Sequence, residues 1–428
     1  RYATDDHWFV PHFEKMLYDQ AQLAVAYLEA YQLSSDEFYA DAARSTLDYV
    51  LRDMTDAEGG FYSAEDADSV EDPAQPTVKV EGAYYVWTKA EVDAVLGQDA
   101  ERFNQAYGVT EFGNSHEFPA ENILSLVGEA LPPASGARLL EARSRRVRPH
   151  LDDKILTAWN GLMISAFAKG AQVLADARYL DAARRAADFV LARMYDAAAG
   201  TLLRRFREGD AAIPAFLDDY AFFVQGLLDL YQVEFDVVRI ETATRLTETM
   251  ISLFEDPEAG GFFATAAGEP SLVLRLKDDY DGAEPSGNAI AILNLQRLAR
   301  LTGRRDFEDT AAKALAAFAP RLSQAPEAMP QMLAALEYSR SKPVQIVLAG
   351  SSEAIEPFLD ELRRRFLPFA TVLRAAHAPE PYPPEPAAAY LCENFACQLP
   401  ATNPREFAEA LGGRASARAG LESRQQTS

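Results

Sequence analysis

Apolar residues recur at helical spacing along most of the chain. Four segments are apolar on nearly every face: Glu14–Tyr31, Lys154–Leu174, Leu217–Phe235 and Pro285–Leu301. Segments of a second kind, apolar on one face only, begin at Asp41, Asp181 and Glu241. Each of these runs as an amphipathic helix, an acidic turn, a glycine and an apolar residue. Gly60, Gly200 and Gly260 stand 19 residues after the three starts. Glycine there suits a helix end or a tight turn that needs positive φ. A helix apolar all round is buried all round, and a one-faced helix has a wet side. The alternation therefore predicts an inner and an outer layer. Short links at Ala175–Arg178 and Thr302–Arg305 make consecutive helices antiparallel neighbours, with Asp306–Leu322 as a fourth outer helix. The inner-helix starts repeat at roughly 65 residues, long for a solenoid and suited to an α/α toroid.

The pattern assigns residues 1–341 to this mainly α toroid, with an insertion at about 61–150. Within the insertion, an acidic loop (Ala64–Pro76) precedes a strand-like run, Lys79–Thr88, and Thr88 with Glu91 forms a capping-box signature. Beyond Pro343 the period changes. Val344–Gly350, Ala370–Ala376 and Ala389–Glu393 read as strands, and Glu353–Phe366 and Asn403–Leu411 as helices. Residues 342–411 are thus predicted as a small α/β appendage, and 412–428 as a disordered tail.

Composition narrows the partners. The net charge of −24 argues against nucleic acid and against an anionic membrane surface, both of which need a basic face. No uncharged apolar run reaches the length of a membrane span. Two cysteines, Cys392 and Cys397, make no disulfide framework; they read as buried thiols in a reducing compartment, and the expected location is cytoplasmic. No phosphate-binding loop, dinucleotide fingerprint or nucleophile elbow is present, and no cofactor or metal is expected. The chain starts at Arg1 on residues that read as the middle of a domain, so an upstream segment is expected.

Acidic pairs recur where loops lead into inner helices: Asp5–Asp6, Asp152–Asp153, Asp218–Asp219 and Asp278–Asp279. An Asp at such a position caps free helix N–H groups. One cap needs one Asp, however, and doublets at the same phase of a repeat exceed that need. In a toroid they would converge on one mouth, where like charges raise carboxyl pKa values. The expected catalytic set is Asp152, Asp153, Asp218 and Asp219 with His12 and His150, since paired carboxylates or opposed bases serve acid–base chemistry on sugars. The expected substrate contacts are His7, Trp8, Lys15, Lys154, Trp159, Asn160, Tyr220, Glu284 and Asn288. Aromatic rings among them can stack on the apolar face of a sugar. The spacing of His7 and His12 does not match a helical zinc motif.

Several long stretches, HWFVPHFEKMLYDQAQLA, AEDADS, EGAYYVWT, HLDDKILTAWNGLMISAFAKG, FLDDYAFF, EPSGNA and YLCENFACQLP, resemble the thioredoxin-domain-containing family of spermatogenesis-associated protein 20 and its bacterial relatives. The likeness runs from Arg1 to about Leu411. It implies an (α/α)6 six-hairpin toroid similar to glycosidases and N-acylglucosamine 2-epimerases, preceded by a thioredoxin-like domain absent from this chain. It implies no settled reaction. The expectation is a carbohydrate-active protein of hydrolase or epimerase type. The alternative is a non-catalytic module presenting a glycan, peptide or protein to the thioredoxin-like domain.

Overall fold

A computed structural model of the chain describes residues 2–129, 133–268, 274–341, 344–383, 385–393 and 396–412. The expected tail at 412–428 lies outside them, apart from residue 412. Its helices, in chain order, are α1 (Leu17–Ser34), α2 (Glu37–Asp53), α3 (Lys89–Leu96), α4 (Ala100–Tyr107), α5 (Pro133–Arg143), α6 (Thr157–Leu174) and α7 (Ala177–Arg193). They continue as α8 (Leu217–Glu234), α9 (Val237–Phe254), α10 (Gly287–Thr302), α11 (Arg305–Gln324), α12 (Pro330–Arg340), α13 (Ser352–Arg363) and α14 (Pro404–Gly412). The chain forms two compact units: one of 1–16 with 63–153, the other of 17–62 with 154–428.

The larger unit is an α/α toroid of antiparallel hairpins, α1/α2, α6/α7, α8/α9 and α10/α11, with α12 beside α10. The inner helices α1, α6, α8 and α10 pack side by side, and α6 and α8 bury residues on nearly all faces. The outer helices bury one stripe each; α2, for example, buries Ala40, Ala43, Leu47 and Val50. Asp36, Asp176 and Asp236 cap α2, α7 and α9 through their side chains.

Two glycines let α6 and α8 approach at backbone distance. A Cβ on Gly161 would lie 2.3 Å from the Phe222 carbonyl carbon, and one on Gly226 would lie 2.7 Å from the Gly161 oxygen. The repeat glycines lead into a second device. After Gly60 and Gly260 the chain is clamped by an asparagine of an inner helix. Phe61 N–H donates to Asn160 Oδ1 (2.8 Å), and Asn160 Nδ2 donates back to Phe61 O (3.0 Å). Asn288 repeats this on Phe262, at 2.8 and 2.9 Å. After Gly200 the Tyr220 hydroxyl takes the same role, accepting from Leu202 N–H at 3.0 Å.

Three features depart from the sequence reading. Thr201–Arg207 and Asp210–Pro214 form a β-hairpin that the helical pattern did not announce. α12, starting on Pro330, was also unread. Cys392 and Cys397 are not thiols: they face each other across an antiparallel strand pair and form a disulfide. That bond removes the cysteine argument for a reducing compartment. The appendage matches expectation, with strands ordered 370–374, 344–349, 388–393 and 396–397. Ile346 and Leu348 face α13 and α14, while Val347 joins the helical core, so the strand is buried on both faces.

The smaller unit has two cores, one around Trp87, Phe103 and Leu139, the other around Val10, Phe13 and Phe118. The Thr88–Glu91 capping box is present on α3. The expected strand over 79–88 stops at Glu81, because Gly82 turns the chain at φ +76 against the Phe13 ring. No helix among the described residues is long and apolar enough to cross a membrane.

Gly161→Ala is expected to destabilise the protein by at least about 2 kcal/mol, since the new methyl meets backbone that cannot move aside. Gly136→Ala, where the methyl meets nothing within 4 Å, is expected to be neutral or to stabilise by about 0.5–1 kcal/mol. Denaturant unfolding of the two variants checks both.

Candidate functional site

In the helical unit, chemistry gathers at the N-termini of α6, α8 and α10. Trp159 lies in the first turn of α6 and donates its indole N–H to Glu284 Oε2 at 2.9 Å. Glu284 precedes Ser286, the N-cap of α10. The ring of Tyr18, in the first turn of α1, meets Trp159 edge-on at 4.9 Å. Arg204, on the unforeseen hairpin, donates to both oxygens of Asp218 (3.2 Å each) and to Asp219 Oδ2 (2.9 Å).

The carboxylates have different fates. Asp219 is 0% exposed and fully engaged: Oδ1 accepts the Ala158 N–H at the start of α6, and Oδ2 accepts the Phe216 N–H and Arg204. Burial and the Asp218 charge push its carboxyl up, against the pull of Arg204 and the Phe216 N–H. Its geometry is that of a cap joining two helix starts. Asp218 is half-buried and paired with Arg204. Burial pushes the Glu284 carboxyl up to about 7; the Trp159 bond and Arg204 oppose this, and Asp218 and Asp19 add to it. The site thus holds a carboxyl that is about half protonated at neutral pH, together with a carboxylate ion-paired to Arg204.

The other expected contacts of this unit stand elsewhere. Asn160 and Asn288 are buried and spent on the clamps of Phe61 and Phe262, and Tyr220 is buried with its hydroxyl on Leu202. Lys154 precedes the two-residue strand Ile155–Leu156, which pairs with the Arg204-bearing hairpin.

The smaller unit has its own cluster. Lys15, Glu65 and Asp152 sit on three short antiparallel strands, 15–16, 64–65 and 151–152. Lys15 Nζ lies 3.9 Å from the centre of the Tyr85 ring. Glu65, 1% exposed, accepts from Arg148 at 2.9 and 3.1 Å and from the Tyr85 hydroxyl at 3.4 Å. Desolvation lowers Lys15 to about 8; Glu65 opposes this, and Arg143 and Arg148 reinforce it. Asp153 ends this unit's chain segment. His12 stacks on Tyr2 at 5.0 Å and lies 3.9 Å from Glu81, while His7, Trp8 and His150 are exposed. Asp5 is a turn residue, its carboxylate accepting the N–H groups of His7, Phe9 and Val10, which lower its pKa. Among the described residues no group of three or more His, Cys, Asp or Glu could hold a metal.

Arg204, Tyr18, Glu65, Tyr85 and Arg148 escaped the sequence reading. The basic run LLRRFR and the glutamate of AEDADS were the available signals.

Comparison with known proteins follows the motifs quoted above. No family model matches the chain. Human spermatogenesis-associated protein 20 is 38% identical over 96% of this chain and 59% of its own length. The chain is a relative of spermatogenesis-associated protein 20. It spans less than two thirds of the curated relatives it matches. An uncharacterised Caenorhabditis elegans protein is 30% identical over 96% of this chain and 62% of its own length. Among solved structures, cellobiose 2-epimerase from Bacillus thermoamylovorans B4167 is similar with a TM-score of 0.48 and 11% identity, covering 74% of this chain and 64% of that one. The family 76 glycoside hydrolase (mannosidase) Bt3792 of Bacteroides thetaiotaomicron VPI-5482 gives a TM-score of 0.40 at 11% identity, over 71% and 59%.

A carboxyl whose folded pKa lies above its ordinary 4.5 weakens the fold as pH rises through the interval up to about 7. Glu284→Gln is therefore expected to stabilise the protein at pH 7.5 by about 1–2 kcal/mol, allowing for solvent screening, and to have no such effect near pH 4. Thermal unfolding of both proteins across that range checks the sign.

Proposed function

We propose that the chain is a carbohydrate-active protein of glycoside hydrolase or epimerase type, acting at the mouth formed by the N-termini of α6, α8 and α10. The observation that carries this reading is Glu284. It is a desolvated carboxyl pushed up to about 7, held by the Trp159 N–H and set within electrostatic reach of Asp218. A desolvated carboxyl and a carboxyl paired with arginine divide naturally into an acid and a base. Glu284 is the proton donor to a leaving or ring oxygen. Asp218, paired with Arg204, is the partner that takes a proton from water or stabilises positive charge at the anomeric carbon. Trp159 and Tyr18 offer ring faces for the apolar side of a sugar. This assignment moves Glu284 from substrate contact to acid and leaves Asp219 as a positioning residue.

The test is product analysis by NMR after incubation with a panel of disaccharides, uronic acids and amino sugars. Turnover is expected to decline as pH rises past about 7, where Glu284 loses its proton. Glu284→Gln and Asp218→Asn are each expected to lower kcat by about 10²–10⁴. Turnover unchanged in both variants would remove the assignment. Saturable binding without turnover would instead assign a module that presents a glycan, peptide or protein to a thioredoxin-like domain.

A further inference from the structure

A second polar feature lies deeper in the helical unit. The inner helices α1, α6, α8, α10 and α12, together with residues 362–372, enclose a cavity of about 750 Å³. Its charged lining is Glu29, Asp229 and Glu337 with Lys169, Arg297 and Arg365, and Tyr338 stands beside them. Lys169 is ten residues beyond Trp159 on α6, about 15 Å along the helix axis. The charged cluster therefore lies deeper than Glu284, although the cavity wall extends to Pro285 beside it, and the cluster is given no part in the chemistry assigned there.

We propose that this cavity binds a small solute carrying a carboxylate or phosphate group. The first argument is a surplus of donors. Arg297 pairs with Asp229 at 2.5 Å, and Lys169 faces Glu29 at 3.9 Å, so these four charges offset one another. Two further groups of the wall have no acceptor among the described residues. The Tyr338 hydroxyl is buried without a hydrogen-bond partner, in a residue only 3% exposed. Arg365 Nε is also buried without one, although its Nη2 reaches Glu361 at 3.0 Å. A buried donor left unmade costs stability, and a ligand oxygen placed between such donors recovers it.

The second argument is the placing of basic groups around the phenol. Arg297 and Arg300 both act electrostatically on the Tyr338 phenol. Lys169 is held below its ordinary pKa by burial, and its one ion pair among the described residues, at 3.9 Å, is long. The Tyr338 hydroxyl and Arg365 Nε are the donors left over for whatever enters, and an oxyanion accepts from both. The floor is apolar, with the Phe369 ring edge-on to Tyr338 at 6.0 Å, which suits the carbon skeleton of an organic acid or ester.

Calorimetric titration of the full chain with inorganic phosphate, with gluconate and with glucose as the neutral comparator tests this. At least one anion is expected to bind and glucose to bind far more weakly. Phosphate alone would point to a phosphorylated solute, and gluconate alone to a sugar acid. Tyr338→Phe and Arg365→Gln are each expected to weaken that binding about tenfold or more. Tyr338→Phe removes only an unpartnered hydroxyl, so its unfolding temperature should be unchanged or higher, and it keeps the test decisive if the arginine variant folds poorly. Absence of binding by both anions, equal binding of glucose, or binding indifferent to both substitutions would overturn the proposal.

Discussion

The backbone contact between α6 and α8 at Gly161 and Gly226 sets the geometry on which the rest of the helical unit depends. Helices with side chains between them keep their axes about 8–10 Å apart. Two glycines remove those side chains where α6 and α8 meet, and the helix starts are drawn together. Asp219 can then cap the neighbouring helix at Ala158, and Asn160, one residue before Gly161, reaches back to hold Phe61. Trp159 stands one residue further back, directed at Glu284. The stretch TAWNG thus carries cap acceptance, ring contact, strand clamp and close approach on consecutive residues.

This packing leaves polar groups in places where water would otherwise solvate them. Glu284 loses hydration and gains only one indole N–H in its place, so the loss of hydration prevails and its pKa rises. Asp219 loses all exposure and gains three donors, two backbone N–H groups and a guanidinium, so it becomes structure. The contrast separates two acidic residues that both stand at inner-helix starts. A carboxyl with one donor and partial access is available for proton transfer, and one with every oxygen engaged is not.

The layered architecture was legible because burial leaves a periodic trace: α6 and α8 are apolar all round, and α2, α7 and α9 have one apolar stripe. The acidic doublets were legible as a phase of the repeat, but their roles were not. Whether an Asp caps, pairs or stays available depends on neighbours such as Arg204, brought in by a hairpin of mixed polarity that helical periodicity could not reveal. Asn160 and Asn288 looked like ligand contacts because they sit beside aromatic and acidic residues. In the fold they are paired with the segments that follow the repeat glycines, a relation visible only once Gly60 and Gly260 are seen as the starts of short extended runs. The disulfide was missed because the strand ending at Cys397 is two residues long and lacks any pattern of its own.

The most direct measurement is the ionisation of Glu284 itself, followed by carbon-detected NMR of the labelled side-chain carboxyl in the wild type and in Trp159→Phe. The account predicts a midpoint near 7 in the wild type and a higher one when the indole N–H, which favours the charged form, is removed. A midpoint close to the ordinary 4.5 in both proteins would contradict it, because Glu284 would then be a hydrated surface carboxylate with no proton to give at neutral pH.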